Sequence, residues 1–215
     1  MMGADPIGIA LFLAALSLLP LLLIVSTSFL KTVIVLLIVR NALGVQQVPP
    51  SMALYAIAMA MTAFVMAPTF HTIAQGVDKS RAHGGAQASI VETVGKVAEP
   101  LRGFMLKHAS EEQRELFLDK ARSLWPEQQA RQATSRDFVI LIPSFVISEM
   151  QAGFYMGFLI FIPFLVIDLI VSNLLLALGM QMVSPTTVSL PLKLFLFVIV
   201  DGWSKLLHAI LNTYL

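Results

Sequence analysis

Apolar residues run along this chain in long unbroken blocks, and strict alternation is absent. Residues 7–30 carry no charge and are long enough to cross a bilayer, which takes about 20 residues in a helix. Pro20 sits inside this block and predicts a kink, because it removes a backbone hydrogen bond and crowds the preceding turn. Lys31 and Arg40 bracket a further apolar octet, residues 32–39. Residues 41–50 (NALGVQQVPP) then break the pattern with Gly44 and the Pro49-Pro50 pair. Residues 52–73 form a second apolar helix, with Pro68 late in it. Residues 138–178 form a third, with Pro143 near its start and Pro163 inside it. Residues 190–213 form a fourth. The expectation is an all-α fold of the integral-membrane class: about four long, kinked apolar helices arranged as two hairpins. Its segments are an N-terminal hairpin (1–77), a small helical polar domain (78–137) and a C-terminal hairpin (138–215).

The polar segment opens softly at His83-Gly84-Gly85 and then turns helical. Ser110-Glu111-Glu112-Gln113 has the form of a capping box, in which the Ser oxygen accepts from the Gln113 amide. Leu116, Phe117, Ala121 and Leu124 follow at helical spacing and Pro126 stops the run. Such a stripe predicts an amphipathic helix packing on its neighbours.

Composition agrees with the blocks. The chain is 57% hydrophobic and 13% charged, with a mean hydropathy of +0.82, against roughly 25% charged residues in a soluble domain. Residues 78–137 hold 10 of the 14 Lys/Arg and 9 of the 13 Asp/Glu. No basic patch invites nucleic acid. The absence of cysteine removes disulfides, thiolate metal sites and cysteine nucleophiles. His71, His83, His108 and His208 are scattered, with neither a metal-ligand spacing nor a nucleophile elbow. There is no phosphate loop, and no enzyme, metal or cofactor is expected. The first residues lack a basic n-region, so the apolar run after them is expected to be retained. Lys31 and Arg40 in the first short loop, and Lys193 in the last, place those loops in the cytoplasm under the positive-inside bias. The polar segment and both termini then fall on the periplasmic side.

Charges inside the apolar hairpins are the candidate functional residues. Glu149, Asp168, Lys193 and Asp201 stand in otherwise greasy sequence, where each unpaired charge costs roughly 2.5–3.5 kcal/mol at mid-span. Asp168 is read either as part of a proton or ion relay or as half of a buried pair with Lys193 or Lys31 that fixes helix register. Asp201 and Lys205 are spaced i,i+4 for a local pair. Gly153 and Gly157 form a small-xxx-small pattern that lets helix backbones approach closely. Gly179 supplies a helix stop, and Met180-Gln181-Met182 after it reads by composition as flexible core filler.

Three blocks of residues carry a resemblance to a known family. They are Arg40 to Gly44 with Gln46, Gln47 and Pro49; Pro143 through Glu149 and Phe154 to Phe158; and a long block from Pro163-Phe164 and Asp168-Leu169 through Gly179-Met180, Pro185 and Pro191 to Lys193, ending at Asp201-Gly202-Trp203. Across essentially its whole length the sequence resembles the FliP/SctR (YscR, HrcR) family of the bacterial type III secretion and flagellar export apparatus. The resemblance implies a core subunit of the export gate: a homo-pentamer joined by two smaller membrane proteins of SctS and SctT type. Together they form a protein-conducting channel for unfolded substrates across the bacterial inner membrane. It further implies that Met180, Gln181 and Met182 form a gasket closing the pore, and that Asp168, Lys193, Glu149, Asp201, Lys31 and Arg40 are buried charges of the assembly. Gln181 departs from the commoner run of three methionines, and Tyr155 stands where relatives often carry a basic residue. The lack of a signal peptide and the stretch from Glu99-Pro100-Leu101-Arg102 to Trp125-Pro126 lean towards a virulence injectisome. The alternatives are an ion-coupled transporter or proton channel, with Asp168, Glu149 and Asp201 as relay, and a passive anchor for a periplasmic domain.

Overall fold

A computed structural model describes residues 6–45, 48–83 and 90–215. Among the described residues the secondary structure is nine α-helices and no strand. They are α1 (Pro6–Ser26), α2 (Phe29–Ala42), α3 (Ser51–His83), α4 (Ile90–His108), α5 (Glu111–Leu124), α6 (Glu127–Gln132), α7 (Phe138–Ala177), α8 (Pro185–Ile199) and α9 (Gly202–Asn212). α3 and α7 are each long and apolar enough to cross a membrane, and α1 with α2 and α8 with α9 pass the same test when each broken pair counts as one span.

The helices differ from the expected blocks in ways that side-chain chemistry explains. The first apolar run does not continue to residue 30. Ser26 and Thr27 donate their hydroxyls back to the carbonyls of Leu22 (2.6 Å) and Leu23 (2.5 Å), and Thr27 Oγ1 accepts from the Phe29 amide at 3.4 Å. Such local bonds offer the backbone an alternative to the helical ladder, and α1 ends there. The last apolar run also divides, at Asp201, whose φ of 53° is left-handed, and α8 and α9 diverge by 64°. Gly202 lies so close against the Phe197 ring that a Cβ would overlap it. Trp203 then packs edge-on to Phe197 with centroids 5.2 Å apart. α3 runs on well past residue 73, through Pro68 to His83. Of the soft start expected at His83–Gly85, His83 closes α3, and Gly84 and Gly85 lie outside the described residues.

Compactness groups the chain into two interleaved units. One comprises the chain up to Phe29 together with Thr69–Ile147, and the other comprises Leu30–Pro68 and Ser148–Leu215. The first unit is built on a cluster of Met105, Ala109, Leu141 and Phe145, flanked by Phe104, Leu106, Phe138 and Ile142. Beside it Ala121, Ala133 and Ile140 pack with Phe117, Leu118 and Trp125. The α5 cap forms as the sequence indicates, with the Gln113 amide donating to Ser110 Oγ at 3.3 Å. Only part of the α5 stripe is buried: Phe117 and Ala121 join the cluster, whereas Leu116 and Leu124 face outward.

In the second unit the exterior is unlike that of a soluble domain. α7 exposes Phe154, Tyr155, Phe158, Leu159, Leu165 and Leu169, yet buries Ser148 and Glu149. An apolar exterior around buried polar groups is what a lipid environment selects. Val35, Leu36 and Val39 of α2, Leu54 and Ala58 of α3, Phe164 of α7, and Leu206 and Ile210 of α9 supply the apolar interior.

Candidate functional site

The site is built in the second unit from two charge junctions, one buried and one partly exposed, a close helix seam and an exposed loop. The first junction joins α2 to α7. Lys31 Nζ stands 2.8 Å from Glu149 Oε1, with side-chain exposures of 4% and 2%. Lys31 Nζ also donates to Thr213 Oγ1 at 3.3 Å and lies 3.9 Å from the centroid of the Tyr214 ring, a cation–π geometry. The Tyr214 hydroxyl donates to the other Glu149 oxygen. Each oxygen of the carboxylate thus has its own donor, and the ammonium has an anion, a hydroxyl and a π face. A pair this dry is tolerable only with such completeness, because desolvating both ions costs several kcal/mol each.

The second junction joins α7, α8 and the end of α2. Lys193 Nζ lies 2.5 Å from Asp168 Oδ2, with side-chain exposures of 6% and 35%. Ser189 Oγ donates to Asp168 Oδ1 at 2.6 Å. Lys193 Nζ donates in addition to the Ala42 carbonyl at 3.2 Å. Ala42 is the last residue of α2, so the ammonium sits where a helix leaves carbonyls unpaired and its dipole favours a cation. Gly44, at φ 77°, turns the chain there, and a Cβ on it would stand 3.9 Å from the ammonium.

Between the junctions runs the seam. A Cβ on Gly153 would come within 3.2 Å of Ile34, and one on Gly157 within 2.5 Å of Ile38. Two glycines one turn apart thus receive two isoleucines one turn apart, and α2 lies directly on the α7 backbone. Arg40, half-buried at the end of α2, donates from Nη1 to Ser51 Oγ at 2.8 Å and ties α2 to the start of α3. The expected Asp201–Lys205 ion pair does not form. The left-handed Asp201 instead accepts the Lys205 amide on its backbone carbonyl at 3.1 Å, and its carboxylate belongs to neither junction.

The loop between α7 and α8 contains the three candidate gasket residues. Gly179, at φ 71°, ends α7 in a Schellman arrangement: Met180 N donates to Leu175 O at 2.9 Å and Gly179 N to Leu176 O at 3.0 Å. Met180, Gln181 and Met182 are all exposed, Met182 completely. The reading of this stretch as core filler is therefore corrected. Ser184 and Thr186 share a hydrogen bond of 2.8 Å and Pro185 opens α8.

Sequence reasoning missed four participants: Thr213, Tyr214, Ser189 and the Ala42 carbonyl. Ser189 was within reach, lying four residues before Lys193 on the same helix face. Thr213 and Tyr214 are 182 and 65 positions from their partners, and no local pattern joins them.

The chain matches the FliP family profile over residues 12–210. It is 55% identical to the "Harpin secretion protein HrpW" of Pseudomonas syringae pv. syringae, over 96% of this chain and 100% of that one. With the "Harpin secretion protein HrcR" of Erwinia amylovora it shares 50% identity, covering 98% and 97%. It is 41% identical to the "Yop proteins translocation protein R" of Yersinia pestis, covering 98% and 97%.

Proposed function

The chain belongs to the FliP family, and from that premise we propose that it is a core subunit of a type III secretion export gate. In this reading several copies, five by the family resemblance, combine with two smaller membrane proteins of SctS and SctT type. They enclose a path for unfolded secreted proteins across the bacterial inner membrane, with residues 78–137 and both termini on the periplasmic side. The names of the relatives, which speak of harpin secretion and Yop translocation, support protein export as the activity. The chain supplies a path and its closure and carries out no chemical step.

The observation that carries the proposal is the α7–loop–α8 hairpin. Its base is fixed by the Asp168–Lys193 junction, while its tip exposes Met180, Gln181 and Met182, the last of them completely. Methionine is flexible and polarisable. A ring of such tips can close around itself and yield to a passing polypeptide of any sequence. A rigid aromatic ring would fit one shape only. Both Asp168 oxygens are already engaged by Ser189 and Lys193, which favours a structural carboxylate over a relay. The test is the native mass of the detergent-extracted protein, alone and co-expressed with its two partner proteins. An oligomer near five copies that grows when the partners are present is expected. A monomer or dimer indifferent to them would refute the reading.

A further inference from the structure

α8 and α9 meet at an elbow of 64°, and the residue that makes the turn is not the one suited to it. Asp201 is left-handed, at φ 53° and ψ 51°, a conformation that costs any residue with a Cβ. Gly202, which adopts it freely, stands one position later, inside α9. Asp201 gains little in return. Aspartate ordinarily caps a helix start through its side chain, and here that side chain makes no cap bond. Lys205, four residues on, is exposed and does not pair with it. A helix running through residue 201 would remove the left-handed cost and bring Asp201 and Lys205 together on one face.

Packing holds the bend against this preference. Phe197 is 6% exposed, and its ring lies where a Cβ on Gly202 would come within 2.4 Å. Trp203 meets the same ring edge-on at 5.2 Å, and Phe164 of α7 stands at 6.2 Å, so the ring is hemmed from several sides. In a continuous helix the residues that meet are three and four apart. Phe197 would then touch neither Gly202 nor Trp203, five and six positions on, so the two packings exclude one another. A second hold lies beyond the far end of α9. There Thr213 accepts from Lys31 and the Tyr214 hydroxyl donates to Glu149. With α8 tied at Lys193, α9 cannot swing into line while those bonds last.

From this arrangement we propose that the α8–α9 elbow is a two-state hinge. In the resting state it is bent, keyed by Phe197 and latched by Tyr214 on Glu149. In the other state α8 and α9 form one helix, Asp201 is helical and pairs with Lys205, and residues 213–214 have left the Lys31–Glu149 pair. Strain at a residue that the surrounding packing over-determines is how a bistable element is stored. The hinge concerns two states of the chain itself and does not rest on the reading as an export gate.

The chain has no cysteine, so Thr187→Cys and Asn212→Cys, both at exposed positions, direct a spin-label pair to α8 and α9 alone. Electron–electron double resonance then reads their separation in the extracted full chain, with labelled copies kept in the minority. The two backbones stand about 30 Å apart across the bend and about 38 Å apart along one helix, at a rise of about 1.5 Å per residue. Wild type is expected to show the short distance. Gly202→Ala with Tyr214→Phe removes key and latch together, and the long distance is expected to become the major one. Adding Asp201→Gly to that variant should lower the long-to-short ratio by about tenfold, because the left-handed turn then costs nothing. Should Gly202→Ala fail to fold, Asp201→Ala with Tyr214→Phe leaves the Phe197 packing in place and is expected to show the long distance as a minor population. A short distance retained in every folded variant would overturn the proposal. So would a broad spread without a long peak, which describes a loose joint, or a ratio unmoved by Asp201→Gly.

Discussion

Two sets of ion pairs in this chain use the same chemistry in opposite surroundings. On α5 and α6, Arg131 pairs with Glu127 and Arg122 with Asp119, and all four side chains are 57–79% exposed. In the second unit, Lys31 pairs with Glu149 at 4% and 2% exposure, and two residues after α9 complete the set. An exposed pair gains ~0–1 kcal/mol, because water screens it and two long side chains must be held in place. A buried pair is itself weak evidence for stability, since the desolvation cost offsets most of the attraction. Losing one partner is another matter, because the other charge is then left dry and alone. The junctions, the fully buried one above all, are thus devices for register. They make every other arrangement of α2, α7, α8 and α9 expensive while adding little to the right one. A helix that carries an apolar exterior needs such devices, since greasy surfaces alone do not choose among rotations.

The comparison can be broken most sharply at Glu149. Glu149→Leu strands Lys31 and is expected to cost ~3–5 kcal/mol, read as a lowered thermal midpoint of the extracted protein. Lys31→Met combined with Glu149→Leu should recover most of that loss, and a double variant as unstable as the single one would contradict the argument. Next comes the seam. Gly157→Leu forces a side chain into Ile38, where even a Cβ would sit 2.5 Å from Cδ1, and overpacking of this kind costs ~1–3 kcal/mol. Co-substituting Ile38→Ala should relieve it. Asp168→Asn keeps the shape of its side chain and removes the charge facing Lys193. With that carboxylate a third exposed, a loss of ~1–2 kcal/mol is expected, with export reduced only in proportion to the folded complex. Export abolished in a fully assembled Asp168→Asn complex would instead revive the relay. At the bottom of the scale, Arg131→Ala should change the stability by no more than ~0.5 kcal/mol.

These expectations also mark how far the sequence could be read. Glu149, Asp168 and Lys193 stood out because a charge in an apolar run needs a partner, and Gly153 with Gly157 stood out by spacing. The helical architecture followed from the length of the apolar blocks. The choice of partner did not, because Lys31 and Lys193 were equal candidates for Asp168 on chemistry alone. Tyr214 was invisible for the same reason, being an aromatic near an apolar helix with nothing local to aim it. Asp201 misled, since i,i+4 spacing assumes a continuing helix and the left-handed residue ends it. Ser26 and Thr27 could have been read as a helix end, had their hydroxyls been weighed against the apolar run around them. The loop 180–182 was the hardest case. Its composition suits a core as well as a seal, and its exposure speaks against the core alone.

The most direct test of the account is the ion permeability of membranes containing the complex with Met180→Ala and Met182→Ala. Both side chains are exposed and neither junction involves them, so the native mass of the complex should match that of the wild type. The account predicts that these membranes leak small ions while wild-type membranes stay tight. An assembled double variant that holds ions as well as the wild type would contradict closure of the channel by this loop.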